Sequence, residues 1–162
     1  MITRRDWIRA TLSGGAVALL TRSLPALGLS PRGAKPKSYR LTVYKSPTCG
    51  CCQNWVAYMK RSGFVVDAHD VSDDKLAEIK STAGVPEKLR SCHTALVGQY
   101  AFEGHVPADL ALKVLREKPT LVALAVPGMP VGSPGMEVGN QKQPYEIMAV
   151  ARDGKSWVYA RR

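Results

Sequence analysis

The chain has 162 residues, with 23 Lys plus Arg against 13 Asp plus Glu and a formal net charge of +10. A basic surface favours anionic partners, but there is no Lys/Arg block and no basic strand studded with aromatics. Composition therefore argues against a nucleic-acid partner and leaves solubility and loose attraction to a membrane surface as what the charge does.

The amino terminus, "MITRRDWIRATLSGGAVALLTRSLPALG", runs from a basic cluster (Arg4, Arg5, Arg9) through an apolar stretch, Ala10 to Leu20, into a Pro/Ala/Gly segment. This is the layout of an export signal, and the apolar stretch is too short to span a bilayer. The paired arginines followed by Asp6-Trp7-Ile8 and Arg9 resemble the twin-arginine type. Residues 1–26 are therefore predicted to be a signal peptide cut near Ala26, with the remainder in the periplasm and no stable membrane span after cleavage. Removal of four basic residues and one acidic residue takes the charge from +10 to +7. Residues 27–38, rich in Pro, Lys, Gly and Ser, read as a flexible linker. About 130 residues remain, enough for one domain with its own core.

From Tyr39 the pattern becomes regular. "YRLTVY", Tyr39 to Tyr44, alternates as a strand and runs into "SPTCGCCQNW", where three of the four cysteines fall within four residues. Cys52, Trp55, Val56 and Met59 recur at helical spacing up to a cap at Gly63, which puts Cys52 near a helix amino terminus, where the dipole favours a thiolate. "FVVDAH", Phe64 to His69, is a second strand, with His69 a strand-end residue. Ser72 opens a second helix with Leu76 and Ile79 inward. Thr94 to Val97 and Tyr100 to Glu103 are two short strands joined by Gly98-Gln99. Pro107 opens a third helix with Leu110, Ala111, Val114 and Leu115 on one apolar face. "TLVALAV", Thr120 to Val126, is long enough at about 3.3 Å per residue to retrace the sheet. The Pro/Gly-rich loop after it, with Met129 and Met136, then arrives at the thiol edge. "YEIMAVARDGKSWVYA" is a hairpin turning at Asp153-Gly154. Met59, Met148, Trp55 and Trp157 read as core.

This order, β, thiol loop, α, β, α, loop, β, β, α, resembles the thioredoxin fold. The expected class is α/β, thioredoxin-like, with a C-terminal β-hairpin, over residues 39–162. In such a fold Ser91-Cys92-His93-Thr94 faces the thiol loop, and the end of the fourth strand brings His105 to the same edge.

Three uses of the thiols stay open at this level: structural disulfides, thiol redox catalysis by the Cys49/Cys52 pair, and metal binding. Cys51 complicates the second, because a 49–52 disulfide would lie beside a thiol able to exchange with it. Thiolates with imidazole and thioether nearby suit Cu(I), zinc or iron–sulfur clusters. Zinc favours ligand pairs two to four residues apart, and the cluster lacks a second such pair. Adjacent cysteines bridge different ions more readily than they chelate one, which favours a polynuclear copper(I)–thiolate site.

"YKSPTCGCC", "SCHTALV", "EGHVPAD" and "VPGMPVGSPGME" together resemble the family of exported metal-binding proteins, long catalogued as a domain of unknown function, that includes the copper-resistance protein CopG. The resemblance covers Tyr39 to Arg161. It implies a thioredoxin-like fold, a periplasmic location, copper binding and a role in copper tolerance. The expected metal ligands are Cys49, Cys51, Cys52 and Cys92, with His93, His105 and Met136 as further donors. Copper is expected as Cu(I), with Cu(II) accessible to mixed sulfur and nitrogen ligation. Copper ions are the expected partners, beside other periplasmic copper-resistance proteins or an electron donor or acceptor. The competing reading is a thiol–disulfide oxidoreductase using Cys49 and Cys52.

Overall fold

A computed structural model describes residues 38–162. The signal-peptide assignment and all but the last residue of the linker lie outside the described residues. Strand β1 (Arg40–Lys45) leads into helix α1 (Gly50–Arg61), then β2 (Val65–Asp70), α2 (Asp73–Thr82) and a single 3-10 turn, Glu87–Leu89. Strands β3 (His93–Val97) and β4 (Tyr100–Glu103), helix α3 (Ala108–Glu117), and strands β5 (Ala123–Ala125), β6 (Glu146–Val150) and β7 (Ser156–Arg161) complete it. The seven strands form one sheet in the order β2-β1-β3-β4-β5-β6-β7. The α/β class and the C-terminal hairpin expected from the sequence are both present.

Local chemistry explains the boundaries. Cys49 is the N-cap of α1, and its sulfur accepts from Cys52 N; the helix therefore begins at Gly50, two residues before the apolar periodicity does. Ser72 caps α2 by accepting from Lys75 N. Pro107 stands just outside α3 as its N-cap, lacking a side chain that could bond the free amides. Strand β5 is shorter than the apolar run suggests. Pro119 has no amide for a ladder, and Leu121 N turns back to Pro119 O at 2.9 Å, so regular pairing starts only near Val122.

Strand direction positions the site. β1 and β2 are parallel, β1, β3 and β4 alternate in direction, and β4 and β5 are parallel. The ends of β1, β4 and β5 and the start of β3 thus lie at one edge of the sheet.

Side chains alternate between the two faces, as strand geometry requires. Tyr100 and Phe102 of β4 join the larger core cluster, with Leu41, Trp55, Met59, Ala111, Val114 and Leu124. Ala101, between them, joins the smaller cluster of Val85, Leu89, Ala123, Ala125 and Val150. Trp157 departs from its expected core position: it lies on the edge strand β7 and is 44% exposed. Among the described residues no helix is long and apolar enough to cross a membrane.

Candidate metal centre

The sheet edge gathers sulfur and imidazole from four separate segments. Cys49 and Cys52, at the start of α1, are joined by a disulfide, with Cα atoms 5.3 Å apart. Cys51 and Cys92 are free thiols. Cys51 Sγ is 3.5 Å from Cys49 Sγ, 3.9 Å from Cys92 Sγ and 3.9 Å from Met129 Sδ. One ligand atom from each of the four cysteines lies within 4.8 Å of all the others, and the same is true of Cys92, His93 and His105. Cys92 belongs to both groups and links the thiols to the imidazoles.

Cys92 Sγ is 3.2 Å from His93 Nδ1 and 3.2 Å from His105 Nε2. His105 Nδ1 donates to Pro134 O at 2.8 Å, because a carbonyl can only accept. In the neutral ring Nε2 is then the bare nitrogen, and it faces the Cys92 thiol as an acceptor. The single thiol proton is spent on that bond, so His93 Nδ1 must donate to the sulfur. His93 Nε2 is left buried with no hydrogen-bond partner. The His93 ring is 0% exposed and held between aromatic neighbours, 4.5 Å from Trp55 and 5.2 Å, edge-on, from His105.

Burial sets the protonation of this group. It pushes the Cys92 thiol up to about 12, with the Cys51 thiol beside it adding in the same direction. It holds His93 well below the usual imidazole range, helped by His105 and the Lys80 and Lys45 ammonium groups, and it lowers His105 as well. In the metal-free protein the centre is a neutral thiol between two neutral imidazoles. Both rings are neutral and so able to act as ligands at neutral pH, and a metal ion held there would take the place of the Cys92 proton.

The surrounding segments are pinned. Ser91 Oγ donates to Gly128 O, fixing the start of the Met loop against the Cys92 segment. Gly135 has φ +87, and a Cβ there would come within 2.7 Å of Trp55 N; only glycine lets this loop lie on the first turns of α1. Gly104 (φ +68) is similarly closed in, by Ser91 and Val126 O. Beneath the edge, Glu103 Oε1 accepts from Ser91 N and Lys80 Nζ, both at 2.6 Å, and Oε2 accepts from Thr94 Oγ1 at 2.6 Å. Burial pushes the Glu103 carboxyl up, and Lys80 followed by the hydrogen-bond donors draws it back.

The structure thus brings Cys49, Cys51, Cys52, Cys92, His93 and His105 together. The Met loop does reach them, but the thioether beside Cys51 belongs to Met129, which is 52% exposed. Met136 makes a turn through its backbone, its amide donating to Ser133 O at 2.8 Å and its carbonyl accepting from Gly132 N at 2.9 Å. His69 is outside the centre, stacked on Tyr44 and 3.2 Å from Asp67. The Lys80–Glu103–Thr94 network had no signal in the sequence beyond a charged residue ending an apolar strand.

Fold and site together define a mixed α/β protein with a partly buried, soft-donor centre fit for a thiophilic metal ion. The donor set fits such an ion. Comparison with known proteins agrees. Residues 89–136 match a family described as "Protein of unknown function, DUF411". Two solved structures, "Copper resistance protein copG- Form 1" and "Form 2", are each 41% identical with a TM-score of 0.72, covering 78% of this chain and 98% and 99% of theirs. A comparison with curated proteins finds no match. The chain belongs to the family that contains copper resistance protein CopG.

Proposed function

We propose that this chain is an exported, periplasmic copper-resistance protein that holds copper at a thiolate-bridged, polynuclear site and interconverts Cu(I) and Cu(II) there. The observation that carries the reading is the convergence of four cysteine sulfurs, two imidazoles and one thioether at a single sheet edge. At a metal–sulfur distance of about 2.3 Å, like that of a zinc thiolate, sulfurs 3.9 Å apart subtend an angle of roughly 116° at a shared ion. Cys51 has two such partners, Cys92 and Met129, so it is suited to bridge. Cys92 is placed to join that pair to His93 and His105. Mixed sulfur and nitrogen donors serve both copper oxidation states.

The thioredoxin-like assignment belongs to this reading. It is supported by the parallel β1–α1–β2 unit, the antiparallel β3–β4 pair, and the thiols placed where β1 enters α1. Metal analysis of protein purified from the periplasm of copper-fed cells, with thiols counted alongside, tests the function. Copper at more than one equivalent per chain is the expected result, and metal-free protein would refute it.

One observation favours a second reading, a thiol–disulfide oxidoreductase: the Cys49–Cys52 disulfide itself, at the start of a helix. That reading predicts turnover of a dithiol substrate by metal-free protein.

A further inference from the structure

The edge of the sheet opposite the thiols carries a different chemistry. There β1 starts, α1 and α3 end, and the hairpin between β6 and β7 turns. Arg40, Lys60, Arg61, Arg116, Lys118 and Arg152 stand on these segments, all exposed and none with an acidic partner among the described residues. Direct contacts join the segments. Ser38 Oγ donates to Gly63 O at 3.4 Å and Tyr39 OH to Leu115 O at 3.5 Å, which brings the ends of α1 and α3 to the start of β1. A hollow of about 540 Å³ lined by Tyr39, Gln99 and Lys118 shares the last two with one of about 200 Å³ that reaches Arg152, so the cations form a continuous surface. The acids on these segments are Glu117 and Asp153, the second held by Lys155 at 2.9 Å. At the thiol edge charges close on one another instead, Arg161 with Glu146 at 2.9 Å, Arg162 with Asp109 at 2.7 Å, and Lys45 with Asp70.

We propose that this basic edge docks on the anionic headgroups of a phospholipid bilayer and seats the fold with its thiol edge turned to solvent. The helix dipole accounts for cations in the last turns of α1 and α3. It accounts for neither Arg40, at a strand start, nor Arg152, in a turn. A plane of negative charge attracts all of these cations at once, because they share one edge and its field reaches about 8 Å at physiological ionic strength. Trp157 separates a bilayer from an acidic protein or a nucleic acid. It follows the hairpin turn on edge strand β7 and is 44% exposed, and an indole in that position settles at headgroup level, its ring toward the apolar boundary and its N–H in water. The chain also enters the fold at this edge, at Ser38, so the apolar stretch expected to engage a membrane during export is joined here and not at the thiols. Nothing in this surface involves the metal centre, and docking leaves the thiol edge clear.

The test follows co-sedimentation of the full chain with vesicles of phosphatidylcholine and phosphatidylglycerol, against vesicles of phosphatidylcholine alone. Preferential binding to the mixed vesicles, weakening as salt rises, is expected. Arg40→Glu/Arg152→Glu should lower that binding about tenfold or more. Lys88→Glu/Lys142→Glu changes the net charge by the same amount but lies toward the thiol edge, just before Cys92 and in the Met loop, and should lower it less than about twofold. Circular dichroism checks that each variant folds. Lys60→Gln/Arg116→Gln keeps good helix formers in both last turns and should reproduce the loss from different elements. Trp157→Ala should weaken binding several-fold and leave its salt dependence unchanged. Equal losses in the two charge-reversal variants, equal binding to both kinds of vesicle, or tighter binding to soluble polyglutamate than to the mixed vesicles would overturn the proposal, the last in favour of an acidic protein partner.

Discussion

Cys51 is the residue on which the readings divide. A dithiol catalyst needs only Cys49 and Cys52, and Cys51 is then a competitor for the disulfide 3.5 Å away. In a copper cluster it is a bridge. Cys51→Ser exchanges a soft ligand for a hard one of nearly the same size. We expect it to lower the number of coppers bound per chain and to abolish copper tolerance in cells, with circular dichroism unchanged. Wild-type stoichiometry and tolerance in this variant would refute the cluster. His93 and His105 yield a second prediction at this scale. Both imidazoles are held below their ordinary range in the folded chain, first by burial. Below about pH 6.5 the unfolded chain therefore binds protons that the folded chain refuses, and stability falls with falling pH. The Tm of metal-free protein should be highest near neutrality, decline below about pH 6.5, and decline again above about pH 9, where the unfolded chain gives up a Cys92 proton that the folded chain keeps; a Tm that rises on acidification from neutrality through pH 6.5 would contradict the assignment. Both histidines were legible as candidates because Cys92 and the β4 end place them. That the Met129 thioether stands beside Cys51 was not: Met129 and Met136 share one irregular loop, and no periodicity distinguishes them.

At the scale of elements, the ends of β3 and β4 that carry the candidate ligands are tied together through Glu103, which accepts from Thr94 and Ser91 and pairs with buried Lys80. Lys80 reaches from α2 to Glu103 at 2.6 Å, and Glu103 also receives Ser91 N, next to Cys92. Lys80 is 5% exposed. Glu103→Gln leaves that ammonium buried without its counter-charge, and breaking such a pair costs about 3–5 kcal/mol. Chemical denaturation should show a loss of that order. The Lys80→Met/Glu103→Leu double variant should recover much of it, because two apolar groups replace two charges. Additive losses in the double variant would show that the pair is not coupled. The helices and most strands could be read from apolar spacing and caps, since those signals are local. This ion pair could not, because nothing in "EIKST" or "YAFEG" indicates that Lys80 and Glu103 meet.

For the whole molecule, metal loading is expected to bear on stability. A ligand that binds the folded chain alone raises stability by about 2.7 kcal/mol at a hundredfold excess over Kd. Cu(I) added to reduced, oxygen-free protein should therefore raise its Tm, and an unchanged Tm at saturating Cu(I) would argue against a site formed only on folding. Replacement of Arg4 and Arg5 by Lys should leave unprocessed precursor in the cytoplasm; mature periplasmic protein at normal levels would refute the twin-arginine assignment. The α/β order, the thiol loop at the end of β1 and the return of Cys92 and His105 to the same edge all follow from the sequence, because strand alternation, helix caps and chain direction act over a few residues. Tertiary structure alone decided that Cys49 pairs with Cys52, that Met129 stands beside Cys51, that Trp157 faces solvent and that Lys80 meets Glu103. Each of these depends on distances between segments distant in sequence or on the rotation of a side chain within a turn, and local periodicity carries neither.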